Sequence, residues 1–186
     1  MQDSCTRSNF LGVFPSDKLV APHQNKQFIV CNLDGHKFKG SHWVCIYLEK
    51  HGGGYIGEYF CSFGQYPRVL KIENYLNKYC TSWVWNNKQI QHELANTCGH
   101  HVIYFLANRC RGYSMQAIIS HLLYSYNSDV TVYNFVLSNY SLKSWKTIFP
   151  VLCIYYNNFG SQELFALARL AGYPNTSSDM FFFLLQ

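Results

Sequence analysis

The run VIYFLA at residues 102–107 is apolar on nearly every side that a helix would present. A helix of that kind must be covered all round, so it belongs at the centre of a core and other elements must be built over it. Asn96 and Thr97 supply capping side chains just ahead of it, which predicts a helix from near Cys98 to about Cys110. The helix is therefore expected to be central and buried, with Cys98 at its start.

The segments that can cover such a helix are legible upstream. FIVCNL (28–33), HWVCIYLE (42–49) and YIGEYFCSF (55–63) are rich in β-branched and aromatic residues and are separated by glycine-containing turns. HGGG at 51–54 predicts a hairpin, because glycine reaches positive φ without strain. FLGVFPSDKLV (10–20) reads as an N-terminal arm or short helix broken at Pro15. Pro67 opens RVLKIENYLNKY, whose apolar positions are helical. WVWNNKQIQ (83–91) reads as a further strand carrying Gln91 at its end, and SMQAIISHLLYSY (114–126) as a helix capped by Ser114. The order predicts an α+β fold with a central, mostly antiparallel sheet packed against the helix that begins at Cys98. Residues 1–140 form the expected domain, and 141–186, where the pattern decays apart from SQELFALARLAG, a divergent C-terminal extension. Its apolar end MFFFLLQ fits a frameshift, a truncation, a partner-covered surface or simply an unfamiliar extension.

Composition narrows the class. At 186 residues, 48% hydrophobic and 13% charged, the chain suits one folded domain. The net charge of +5 comes from scattered residues, so only weak DNA contact is expected. No stretch reaches the ~18–20 apolar residues needed to span a bilayer, and no secretory leader is visible. The expectation is a monomer without membrane contact, in the nucleus or cytoplasm. Eight cysteines without a C-x-x-C pair are then expected to be reduced thiols and not a disulfide or zinc framework.

QHELANTCGHH (91–101) leaves three readings for Cys98: metal ligand, buried filler or nucleophile. His101 falls on the same helical face as Cys98, and His92 and His100 are close by, yet no second cluster completes a metal site. The default for an isolated cysteine is a buried inert thiol. In the first turn of a helix, however, the dipole and unpaired backbone N–H groups favour thiolate. A nucleophile also requires a base and oxyanion donors. His42, where a strand begins, is the base candidate, Trp43 beside it can shield the pocket, and Gln91 is the oxyanion candidate.

Taken together, His42-Trp43, Phe60-Cys61-Ser62-Phe63-Gly64, Gln91 and Thr97-Cys98-Gly99 resemble the adenovirus-type and ubiquitin-like-protein-specific cysteine proteases. That family includes copies carried by large self-synthesising DNA transposons and related viruses. The likeness extends over about residues 9–138. It implies a cysteine-protease fold, circularly permuted relative to papain-like enzymes. It also implies hydrolysis of peptide or isopeptide bonds through an acyl-enzyme, with His42 as general base, Cys98 as nucleophile and Gln91 as oxyanion donor. Substrates would be viral or transposon structural precursors, with removal of ubiquitin-like modifiers as the alternative and a virion-associated setting in view. The chemistry requires no cofactor, although the resemblance implies that a peptide or DNA can activate, the peptide through a disulfide to a cysteine placed like Cys80.

One position departs from the family. Cys61 stands where the resemblance places the carboxylate or amide that orients the histidine. In serine-protease systems, losing the triad acid costs on the order of 10⁴ in rate yet leaves residual catalysis. Glu58, three residues back on a strand, should face the other way. Impaired or lost catalysis is therefore expected, and an inactive homologue that binds protein tails is the reading from a different class.

Overall fold

The computed structural model describes residues 4–38 and 40–140. The C-terminal extension, including SQELFALARLAG, MFFFLLQ and Cys153, lies outside the described residues. In chain order the elements are α1 (Ser4–Asn9), β1 (Phe10–Pro15), β2 (Lys26–Asn32), β3 (Trp43–His51), β4 (Gly54–Phe60), α2 (Leu70–Tyr79), β5 (Cys80–Trp85), α3 (Cys98–Cys110), α4 (Met115–Tyr124) and α5 (Ser128–Asn139).

The strands form one mixed sheet in the order β1-β2-β3-β4-β5. The inner ladders, β2 with β3 and β3 with β4, are antiparallel as expected. The outer ladders, β1 with β2 and β4 with β5, are parallel. His51 pairs with Gly54 across the expected hairpin, and Gly52 takes the positive φ of 58° that the turn requires. Residues 10–15, expected as an arm or short helix, form strand β1, which Pro15 ends. Proline supplies no N–H to a ladder, so an edge strand's end is a place where it fits.

Both faces of the sheet are covered, which is why β3 reads as an almost continuous apolar run. Phe28, Val30, Trp43, Cys45, Tyr47 and Phe60 pack beneath Val102, Phe105 and Leu106 of α3 and Ile118, Ile119 and Leu122 of α4. The opposite face carries Ile29, Cys31, Val44, Ile46, Leu48 and Tyr59 against Ile72, Tyr75 and Leu76 of α2. Helix α3 is buried along most of its length, as its sequence requires. Phe60 and Phe105 stack with ring centroids 4.4 Å apart and fasten it to the middle of the sheet.

Two local expectations are corrected. Strand β5 ends at Trp85, so Gln91 belongs to the following loop and not to a strand end. Thr97 is the residue ahead of α3, but its side chain makes no capping bond; its hydroxyl donates to Asp129 on α5 instead. Ser114 does cap α4, accepting from the Ala117 N–H at 3.2 Å.

Candidate active site

The site lies where β3 begins, β4 ends and α3 starts. Helix α3 opens at Cys98, whose side chain is buried and packs in the same cluster as Trp43. Burial pushes the Cys98 thiol above its ordinary range, while the backbone N–H groups of Trp43 and Gly99 at its sulfur work against that rise. The Gly99 position is open, since a Cβ there would meet nothing within 4 Å. The start of α3 is therefore uncrowded on that side.

His42 immediately precedes β3 and is 8% exposed. Its imidazole stacks on Phe63, with ring centroids 4.7 Å apart. The shielding ring is thus Phe63, while Trp43 lies in the core. Burial, reinforced by the nearby charge of His101, pushes the His42 pKa down to about 4. Among the described residues no carboxylate opposes the effect of burial on this imidazole.

Cys61 follows directly on β4 and meets the other side of His42, its sulfur 3.4 Å from Nε2. Burial pushes this thiol up as well, and the backbone N–H groups of Gln65, Phe63 and Gly64 at its sulfur oppose the rise. The buried Asn86 amide holds the main chain at this position. It accepts from the Cys61 N–H at 2.8 Å and donates to the Cys61 carbonyl at 2.6 Å. The turn after it depends on Gly64, which has φ 67° and whose Cβ would lie 2.5 Å from the Lys88 carbonyl carbon. Glu58 cannot substitute for an acid here. It faces α3 and grips Arg109 with both oxygens, at 2.7 and 3.1 Å.

Gln91 is 3% exposed and reaches the site from the loop between β5 and α3. Its Oε1 accepts from Ser62 at 2.6 Å and its Nε2 donates to the Ala95 carbonyl at 2.5 Å, which leaves the second N–H of Nε2 for another acceptor. The backbone N–H groups of Ile90 and Gln91 both donate to the Ser62 carbonyl. The residue next to Cys61 thus anchors the loop that presents Gln91.

The remaining histidines do not gather as ligands. Among the described residues no group of three His, Cys, Asp or Glu could hold a metal. His101 is fully buried and bonds Asp129 at 3.0 Å, whereas His100 packs on Tyr133 at 5.3 Å between ring centroids. Cys80 opens β5, where it is half-buried, and a Cβ on Gly57 would come within 2.7 Å of its sulfur. Burial raises its pKa to about 11, so little of it is thiolate near neutrality. Among the described residues Cys31, Cys45, Cys61, Cys80 and Cys98 are free thiols. Among the described residues no helix is long and apolar enough to cross a membrane.

Sequence reasoning missed Ser62, Asn86 and Asp129. Ser62 lay inside the quoted Phe60–Gly64 motif and carried a usable signal. The other two act over 25 to 37 positions of separation, which no local pattern reveals.

No family model matches the chain, and no curated protein does. Among solved structures, the ASFV pS273R protease matches 63% of this chain at 24% identity and a TM-score of 0.41. Its selenomethionine form aligns with the same identity and TM-score. The chain spans 44% of that protease's length. A structure of AvrA with IP6 and CoA matches 97% of this chain and 74% of its own, at 12% identity and a TM-score of 0.42. These likenesses are distant, and the chemistry of the site is read from its own geometry.

Proposed function

We propose that this chain is a cysteine-type peptidase whose turnover is held down by Cys61. The observation that carries the reading is the convergence at the head of α3. There Cys98 opens the helix in the same buried cluster as Trp43, with His42 one residue from Trp43 and Gln91 presented from the adjoining loop. Cys98 would attack a carbonyl carbon, and His42 would take the thiol proton and pass it to the leaving amine. The Cys98 N–H and the second Gln91 N–H would receive the oxyanion, and water would then hydrolyse the thioester. The substrate class follows the sequence resemblance: structural precursor proteins of a virus or transposon, or, by the same chemistry, isopeptide-linked ubiquitin-like modifiers.

A second reading has its own support. With the Cys98 thiol raised and the His42 imidazole lowered, the pair rests neutral, and Cys61 supplies no charge to hold imidazolium. A homologue that binds extended protein tails without cutting them fits that state.

A peptide-library cleavage assay of the wild type beside Cys61→Asp and Cys98→Ala separates the two. Slow cleavage by the wild type, faster cleavage by Cys61→Asp and none by Cys98→Ala is expected. Cleavage by neither of the first two would leave the binding reading standing.

A further inference from the structure

Helix α5 meets the site through its first two residues. Ser128 donates its hydroxyl to the Ile90 carbonyl, immediately before Gln91. Asp129 accepts from the His92 N–H at 3.0 Å, immediately after Gln91. Its other oxygen accepts from the Thr97 hydroxyl, immediately before Cys98, and from His101 Nε2 at 3.0 Å. His101 is fully buried one turn along α3, and its Nδ1 has no hydrogen-bond partner, so the carboxylate is the group that fixes this ring. An acid in the first turn of a helix is ordinarily explained by the dipole. That accounts for one acidic residue at this place, but not for a carboxylate that accepts from three groups 28 to 37 positions away.

We infer that Asp129, with Ser128 beside it, is a positioning residue of the site: it clasps both ends of the loop between Gln91 and Cys98 and so sets the two oxyanion donors relative to one another. The inference rests on the peptidase reading. The loop closes upon itself through Gln91 Nε2 on the Ala95 carbonyl and the Ala95 N–H on the His92 carbonyl, so its ends are the points at which it can shift. Asp129 touches neither substrate nor reacting atoms. Its effect passes through the Gln91 amide and the Cys98 N–H, and it should appear only where a negative oxygen forms.

Two probes of Cys98 separate this role from a purely structural one. A peptide aldehyde forms a hemithioacetal and uses the oxyanion donors, whereas iodoacetamide alkylates the sulfur by displacement and uses none. A panel of N-acetyl dipeptide aldehydes and iodoacetamide would be applied to the wild type, Asp129→Asn, Asp129→Ala, Ser128→Ala and Gln91→Ala, with thermal unfolding recorded for each. Aldehyde affinity should fall by about tenfold to a hundredfold in Asp129→Ala and less in Asp129→Asn, while Cys98 alkylation per folded molecule stays within about threefold. Combining Asp129→Ala with Gln91→Ala should cost less than the two separate losses together, because one acts through the other. If Asp129→Ala does not fold, Asp129→Asn and Ser128→Ala carry the comparison. Unchanged aldehyde affinity in folded variants would overturn the inference alone, as would parallel losses with both probes. A wild type that captures no aldehyde would overturn the peptidase reading beneath it.

Discussion

Cys61 Sγ lies 3.4 Å from His42 Nε2, so a neutral thiol occupies the place from which an imidazole is usually oriented. The contact fixes the ring's direction but adds no charge to it. Imidazolium here would be buried and opposed by the charge of His101, and the lowered His42 pKa expresses that cost.

Cys61→Asp should therefore raise both the His42 pKa and the rate. The main chain of Gln65, Phe63 and Gly64 already lowers the Cys61 thiol against burial, and it would favour a carboxylate in the same sense. The ceiling on the gain is on the order of 10⁴, the loss that removing a triad acid causes in serine proteases. Imidazole chemical shifts across a pH titration and labelling by a cysteine-directed acyl probe measure the two effects. Full-rate labelling of the wild type, unchanged in Cys61→Asp, would sink the idea.

The pH dependence of Cys98 alkylation follows from the same neutral pair. Because burial raises the thiol above its ordinary range, iodoacetamide rates in the wild type should stay low at neutrality and climb only at alkaline pH. In Cys61→Asp a shoulder should appear at lower pH, where an ion pair of thiolate and imidazolium becomes populated. Rate profiles followed by mass spectrometry at Cys98 would show a single alkaline rise in one protein and two steps in the other.

Acid should destabilise the fold through two buried histidines. His42 and His100 are lowered from the ordinary 6.5 to about 4 in the folded protein, each through burial first and then the charge of His101. The unfolded chain binds the extra protons, so stability is full above pH 6.5 and falls as the pH drops toward 4. At about 1.4 kcal/mol per unit, each histidine contributes on the order of 3 kcal/mol to that fall. Denaturant melts at pH 7 and pH 4 measure it, and replacing His100 with Gln should remove about half of the difference.

Glu58→Gln tests the alternative acid. Its grip on Arg109, whose guanidinium also stands 4.4 Å over the Tyr47 ring, joins β4 to the far end of α3, away from the Cys98 end. Both partners of the pair are about 15% exposed, so the substitution should cost about 1–3 kcal/mol of stability. Labelling of Cys98 per folded molecule should not change. A selective loss of labelling would mean that Glu58 acts on the site after all.

Gly64→Ala should be among the most damaging single-methyl changes in the domain. It combines a φ of 67° with a clash against the Lys88 backbone, and backbone strain of this kind costs about 1–3 kcal/mol before any clash is counted. Thermal unfolding should show the loss, and weaker Cys98 labelling should accompany it because the turn after Cys61 would shift.

Where the chain states a pattern locally, the sequence was sufficient. The all-round apolar character of VIYFLA placed α3, HGGG placed the hairpin, and Ser114 placed the start of α4. What failed was non-local. Helix α5 went unread because SDVTVYNFVLSN is rich in β-branched residues and has little one-sided apolar character, so its helicity depends on packing against α3. Thr97 looked like a cap because capping rules see only nearby partners, while its hydroxyl is spent on a carboxylate 32 positions away. Gln91 was read onto a strand because WVWNNKQIQ continues the β-rich composition past Trp85, where the ladder stops.

The Asn86 amide holds the Cys61 main chain by its N–H and its carbonyl and makes no use of the side chain. Position 61 therefore works as a socket whose geometry does not depend on what is plugged into it. Thiol, amide or carboxylate would each be offered to His42 from the same place, without rebuilding the domain around it.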